Sequence, residues 1–156
     1  MKATLTALTV AATMFASSAW AVDPTDLQKL KDTKQCVECD LKGADLWSAN
    51  LKDANLAGAN LEVTELSGAD LRLSNLNGAN LAGANLNGAD LWSANLNGAN
   101  LMRANLKGAS LFYTDLRGAK LSGANLIGAD LSYANMQGAI LCNTTMPDGS
   151  VIYSGC

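Results

Sequence analysis

A leucine stands at every fifth residue from Leu41 to Leu141, through 21 consecutive positions in which Met136 is the one substitute. No standard element has that period. An α-helix advances about 100° per residue, so residues five apart scatter around it. A straight strand alternates faces with period two, so an odd spacing sends successive leucines to opposite sides. The pattern works only if the chain turns a corner once per pentad. Each pentad then points one leucine inward, and successive coils stack about 4.8 Å apart through backbone hydrogen bonds. That is a β-solenoid. The residue two places before each leucine is Ala in 17 of the 21 units, with Cys39, Thr64, Ser74 and Thr114 the exceptions, and it leaves room beside the leucine. The residue one place before is Asp or Asn in 17, with Glu65, Ser110, Lys120 and Ile140 departing.

Composition excludes several chemistries. The chain has no His, which removes the commonest general acid/base and the commonest metal ligand. A formal charge of −3 gives no basic stripe for nucleic acid. No phosphate-binding loop, nucleophile elbow or His-containing metal motif occurs. The reading is of a non-enzymatic chain with no cofactor, no bound metal and no catalytic residue.

The first 21 residues read as a signal peptide. Lys2 is a short positive start, an uncharged run rich in Ala, Leu, Thr and Val follows, and Ala19-Trp20-Ala21 fits the small-x-small cleavage pattern. The run is short and diluted by Thr and Ser for a bilayer span of about 20 apolar residues. Cleavage would start the mature chain at Val22, without a membrane anchor, at a charge of −4 from 10 basic and 14 acidic residues. The expected location is exported: periplasm, lumen or medium.

The tandem Ala-Asp/Asn-Leu-x-x units over residues 39–143 resemble the pentapeptide-repeat family. The resemblance implies an all-β fold, a right-handed quadrilateral β-helix with four pentads per coil. Gly recurs at the second place after leucine at ten-residue intervals from Gly58 to Gly138, which assigns it to two opposite faces of such a square. About five coils make a rod only about 25 Å tall. The organisation reads as signal peptide 1–21, N-terminal cap 22–40, repeat β-helix 41–143 and C-terminal cap 144–156. Asp23-Pro24-Thr25-Asp26 can start a short capping helix with Leu27 and Leu30 on one face. Met146-Pro147-Asp148-Gly149-Ser150 reads as a turn, after which Val151, Ile152 and Tyr153 are expected to fold over the last leucine layer. Both ends, with Cys36-x-x-Cys39 before the repeats and a Ser-Gly-Cys terminus after them, are similar to those of small exported members of the family.

In the rod that the resemblance implies, Cys36 and Cys39 lie at one end and Cys142 and Cys156 at the other. Bridged Cα atoms lie about 4.4–6.8 Å apart. The pairing favoured is therefore Cys36–Cys39 with Cys142–Cys156, as structural disulfides of an oxidising compartment. Thiol–disulfide exchange through Cys36 and Cys39, and zinc held between chains, stay open as readings.

Residues 20 apart stack in the square arrangement. One face then carries Arg72, Trp92, Phe112 and Ser132, and beside them Leu73, Ser93, Tyr113 and Tyr133. This aromatic strip reads either as a face for a protein partner or self-association, or as a ladder that ties coils together. The same face stacks Asp70 and Asp90, near the ~5 Å separation of a retaining glycosidase pair, and Asp45 and Glu65 stack on a neighbouring face. A convex face offers no cleft, so these carboxylates read as members of a polar ladder, with weak calcium contact as the next option.

Three functions follow as expectations. The first is an exported scaffold or interaction protein. The second is a thiol-active protein using Cys36 and Cys39. The third is a mimic of DNA that binds gyrase, as the resemblance to certain family members implies. The units from Leu41 to Leu141 hold seven basic and eight acidic residues, a near balance that disfavours a DNA mimic.

Overall fold

Each leucine opens a β-turn. In the pentad that begins at Leu91, the Ala94 N–H donates to the Leu91 carbonyl at 2.9 Å, and the same bond recurs from pentad to pentad. The third residue of the turn takes a positive φ throughout the repeats, from 50° at Val63 to 73° at Gly123. Glycine adopts that conformation at least cost, which is why it recurs at this place. The sequence suggests two glycine faces, but every corner carries the positive φ, and Leu73, Tyr113 and Tyr133 adopt it too.

The computed structural model describes residues 22–153 and 155–156. The sequence-predicted signal peptide, residues 1–21, lies outside the described residues. Parallel bridges join each Asx-type position to the one 20 residues on, from Gln35↔Asn55 to Asn125↔Thr145. A coil is therefore four pentads and four turns. Three backbone bonds per pentad hold neighbouring coils: Leu91 N–H to Ser110 O (2.8 Å), Ser93 N–H to Phe112 O (3.0 Å) and, in the other direction, Asn95 N–H to Ser74 O (2.9 Å). These contacts are single bridges between corners. The regular strands among the described residues are only β1 (Thr144–Thr145) and β2 (Val151–Ile152).

The leucines from Leu56 to Leu126 form a column with no exposed surface, and the alanines two places ahead of them fill the space between. Where Thr replaces Ala, its hydroxyl finds a carbonyl: Thr114 Oγ1 donates to Leu91 O at 2.8 Å and Thr144 Oγ1 to Leu121 O at 2.7 Å. Ser74 is the exception, since its buried hydroxyl has no partner. On the outside, the Asx position bonds twice. Its Oδ1 accepts the N–H two residues on, as Asp90 does from Trp92 (3.1 Å). Its amide, where present, donates to the coil before, as Asn75 does to Asn55 and Asn95 to Asn75 (3.2 and 3.3 Å).

The N-terminal end is closed by α1 (Pro24–Thr33). Asp23 caps it, accepting from the Thr25 and Asp26 N–H groups, and Pro24 takes the first helical position, where its missing N–H costs nothing. Leu30 is buried on the first coil and Leu27 packs beside it. The helix ends at Lys34, whose φ of 56° lets its N–H return to Leu30 O. At the other end the expectation that Val151, Ile152 and Tyr153 cover the last layer is not met. β2 pairs edge-on and antiparallel with β1, Thr144 opposite Ile152 and Thr145 opposite Val151, and Val151 and Tyr153 are exposed. Edge pairing satisfies backbone groups, so the short segment extends the coil wall instead of bending inward. No helix among the described residues is long and apolar enough to cross a membrane.

Two substitutions test this core with opposite signs. Leu91→Ala empties a fully buried site and is expected to cost about 2–5 kcal/mol. Ser74→Ala removes an unsatisfied buried hydroxyl and is expected to add about 1 kcal/mol. Chemical denaturation of the two variants beside the parent chain measures both.

Candidate functional site

The side of the rod that carries Trp92 is built from corners. A corner residue is the second or third of its turn, so its side chain leaves the coil sideways and stands above the residue 20 positions earlier. Phe112, Tyr113 and Tyr133 meet there. The Phe112 ring lies edge-on to Tyr113 (centroids 4.6 Å apart) and to Tyr133 (5.4 Å), and Tyr113 stacks on Tyr133 at 4.9 Å, 11° from parallel. Tyr133 is 72% exposed and Tyr113 54%. Trp92 and Leu73 are exposed one and two coils further along, but among the described residues no ring contact joins Trp92 to the three. The strip is thus a compact three-ring cluster followed by separate apolar side chains.

Arg72 closes the strip with charge. Its Nε and Nη2 donate to the two carboxylate oxygens of Asp70 at 2.8 and 2.6 Å, and its Nε lies 3.6 Å from Asp90 Oδ2. One guanidinium therefore serves both carboxylates that the sequence stacks together. The paired Arg72 holds the Asp70 carboxyl below the usual carboxylate range, and the pair pushes the Arg72 value further up. A carboxyl so held stays ionised and makes a poor general acid. Arg117 grips Asp115 in the same way, and the Asp115 carboxyl is lowered for the same reason. On the neighbouring face Glu65 accepts from Ser67 N–H (2.9 Å) and, at its two carboxylate oxygens, from Asn85 Nδ2 (3.0 and 2.8 Å), and its carboxyl is lowered by those bonds. Among the described residues no three Cys, Asp or Glu side chains gather where a metal ion could be held.

The cysteines form two bridges, Cys36–Cys39 with Cα atoms 5.2 Å apart and Cys142–Cys156 with 4.9 Å. Cys36 and Cys39 are buried under α1. One exposed aromatic escaped the sequence reading. Trp47, 69% exposed, borders a shallow groove of about 290 Å³ between α1 and the first coil, lined also by Leu30, Lys31 and Ala49. The signal was available, because Leu46-Trp47-Ser48-Ala49-Asn50 is the same pentad as Leu91-Trp92-Ser93-Ala94-Asn95.

The model of the family described as pentapeptide repeats matches this chain in eight copies, over residues 35–72, 70–111 and 109–146. The chain belongs to the pentapeptide-repeat family. Solved structures of other pentapeptide-repeat proteins agree with the coil geometry. One from the cyanobacterium Cyanothece 51142 is 32% identical, with 74% of this chain and 92% of that one covered at a TM-score of 0.52. One from the Arabidopsis thaliana thylakoid lumen is 26% identical, with 66% and 68% covered at a TM-score of 0.51. Their likeness carries the fold, a right-handed β-helix solenoid. A search of curated proteins finds no match to the sequence.

Two predictions follow from the charges and bridges of this pentapeptide-repeat rod. The carboxyls of Asp23, Glu65, Asp70, Asp115, Asp130 and Asp148 all lie below their ordinary values in the folded chain, each through hydrogen bonds from neighbours. Their contribution is complete above the unfolded value and is lost as pH falls through the folded ones. With no His to titrate, the melting temperature is expected to stay level from about pH 5 to 8 and to fall below about pH 4. Thermal melts across that range check it. Replacing Cys142 and Cys156 by Ser together opens a bridge of sequence separation 14, which is expected to cost about 3 kcal/mol. Urea denaturation of the double variant measures the loss.

Proposed function

We propose that this protein is an exported, non-enzymatic scaffold: a right-handed quadrilateral β-helix, capped by α1, that offers the side face around Trp92, Phe112, Tyr113 and Tyr133 to a protein partner. The observation that carries the reading is where the bulky residues stand. Leu73, Tyr113 and Tyr133 occupy turn positions with φ of 58–59°, where glycine is the favoured residue and a bulky side chain is strained. Glycine fills the matching corner at Gly78, Gly88, Gly98 and Gly108, although an added Cβ would meet nothing within 4 Å there. Val63 and Arg103 take the same φ at other corners, so what sets this face apart is that three rings meet on it. The rings also give an exposed apolar patch with polar tips, the composition of interface anchors.

Export follows from the signal-peptide pattern of residues 1–21, and one similar solved protein is from a thylakoid lumen. Buried Cys36 and Cys39, bridged and shielded by α1, favour a structural bridge over thiol exchange, which needs an accessible thiolate. The near balance of charge along the repeats gives no rod of negative potential to imitate a duplex.

Affinity capture from the native exported fraction tests the face. The parent chain is expected to retain a partner that a Trp92→Ser, Phe112→Ser, Tyr113→Ser variant loses, while both chains keep the same circular dichroism and melting temperature. A partner held equally by both would overturn the assignment. A native thiol titration adds a second check, with no reactive thiol expected.

A further inference from the structure

Along one edge of the aromatic side, the residues that stand one place before each leucine stack as Asn50, Asp70, Asp90, Ser110 and Asp130. Two of the three aspartates are served by a single guanidinium of the chain itself. Arg72, two places after Asp70, grips that carboxylate at 2.8 and 2.6 Å and reaches Asp90 in the next coil at 3.6 Å. Arg117 stands in the same relation to Asp115, at 2.9 and 2.6 Å. An arginine thus reaches an aspartate of this rod from either of two places: two residues on, or one coil below.

At Asp130 both places hold something else. Ser132 stands two residues on, and Phe112 stands below Asp130 where Arg72 stands below Asp90. The Asp130 carboxylate accepts the Ser132 N–H at 2.9 Å and pairs with no cation among the described residues. Lys120 is the last basic residue of the sequence, and the only charged side chains after it are Asp130 and Asp148. The turn that follows Asp130 carries exposed Tyr133 at its third place. The centroids of Phe112, Tyr113 and Tyr133 lie 4.6, 4.9 and 5.4 Å apart, close to an equilateral triangle. Phe112 therefore sits beside the stacked tyrosines and leaves the outer face of Tyr133 without a ring. An ionised carboxylate with no counter-ion and an open tyrosine face are thus offered by one turn.

We infer, on the reading that this face takes a protein partner, that the partner presents an arginine whose guanidinium stacks on Tyr133 and pairs with Asp130. The chemistry of the turn selects that occupant. The carboxylate attracts a cation, and the negative face of the tyrosine ring attracts the same charge. A guanidinium is planar and weakly hydrated, so it stacks on a ring and holds a carboxylate at once, which a compact, strongly hydrated ammonium does less well. The rod already makes the carboxylate half of this contact twice, with its own Arg72 and Arg117. The wider side agrees in sign. Lys52 and Arg72 stand against Asp53, Asp70, Asp90 and Asp130, an acidic excess that draws a basic segment in from a distance.

The probe is a blocked peptide of alternating arginine and glycine, with lysine and glutamate versions beside it, titrated into the purified oxidised chain and followed by the NMR signals of the tyrosine rings. The arginine peptide is expected to shift the Tyr133 ring signals, the lysine peptide to bind more weakly and the glutamate peptide not to bind. Asp130→Asn keeps the acceptor for the Ser132 N–H, and Tyr133→Leu introduces a residue that the matching corner already holds at Leu73. Both variants are expected to melt with the parent chain, and each to bind the arginine peptide about three- to tenfold more weakly. Equal affinity in the parent and Asp130→Asn overturns the inference, and so does an arginine peptide that binds no better than the glutamate one. Affinity capture separates this outcome from the fate of the face as a whole. A partner that the Trp92→Ser, Phe112→Ser, Tyr113→Ser variant loses, but that excess arginine peptide does not displace from the parent, keeps the face and overturns the arginine. A partner that the variant retains overturns both.

Discussion

The corner at the third residue of each turn is the constraint on which the rest depends. Leu91 begins a turn, Ser93 takes the positive φ, and Ala94 closes it on the Leu91 carbonyl. Only after that reversal can the next leucine, Leu96, face the same axis. The turn also aims the remaining N–H and C=O groups up and down the rod, where the neighbouring coil satisfies them. Packing and hydrogen bonding are thus not two separate sources of order here. Losing one corner would rotate every later leucine away from the column and take its coil-to-coil bonds with it.

The outer ladder follows from the same geometry. Positions 20 apart face each other at one coil's distance, so a side chain that can both accept and donate stabilises a whole stack. Asparagine does this by accepting from the backbone two residues on and donating its amide to the coil before, as Asn75 does. Aspartate can only accept. Where it stacks on itself, as Asp70 on Asp90, the ladder lacks donors and gathers negative charge, and Arg72 supplies both missing elements. The same reasoning accounts for Asn60 donating to Asp40 and Asn85 to Glu65. Exposed pairs of this kind contribute little each, and their chief consequence is to fix which side chains stand beside the aromatic cluster.

Most of the fold was legible because the repeat is long and the physics of one unit is the physics of all. The period alone forces a coil, and the Ala beside each Leu says how tightly it packs. What escaped was local. Glycine spacing hinted at two special faces, but Val63 and Tyr113 show that the turn, not the residue, sets the backbone. Val151 and Ile152 looked like a lid because they are apolar, yet a two-residue segment beside an open edge gains more from pairing with Thr144 and Thr145 than from bending inward. Of the surface, the stack of Phe112, Tyr113 and Tyr133 could be placed by counting in twenties. The break before Trp92 could not, since it depends on side-chain direction and not on register.

A rod of this kind cannot build a cleft easily. Nearly every inward position is filled by Leu or Ala, and the outward ones stand on a convex wall. Recognition must then come from raised features, and the structure has two sorts. One is the set of corners that carry a bulky residue where the turn prefers glycine. The other is the end of the stack, where the repeat stops without a partner coil. Both are places where the local rule of the repeat is broken, and both break it at the surface. The interior, by contrast, admits few departures: Thr64, Thr114 and Thr144 enter the alanine row with each hydroxyl on a carbonyl of the preceding coil, and Ser74 enters it with its hydroxyl unpartnered. Most variation in this molecule therefore lies at positions that another molecule can touch.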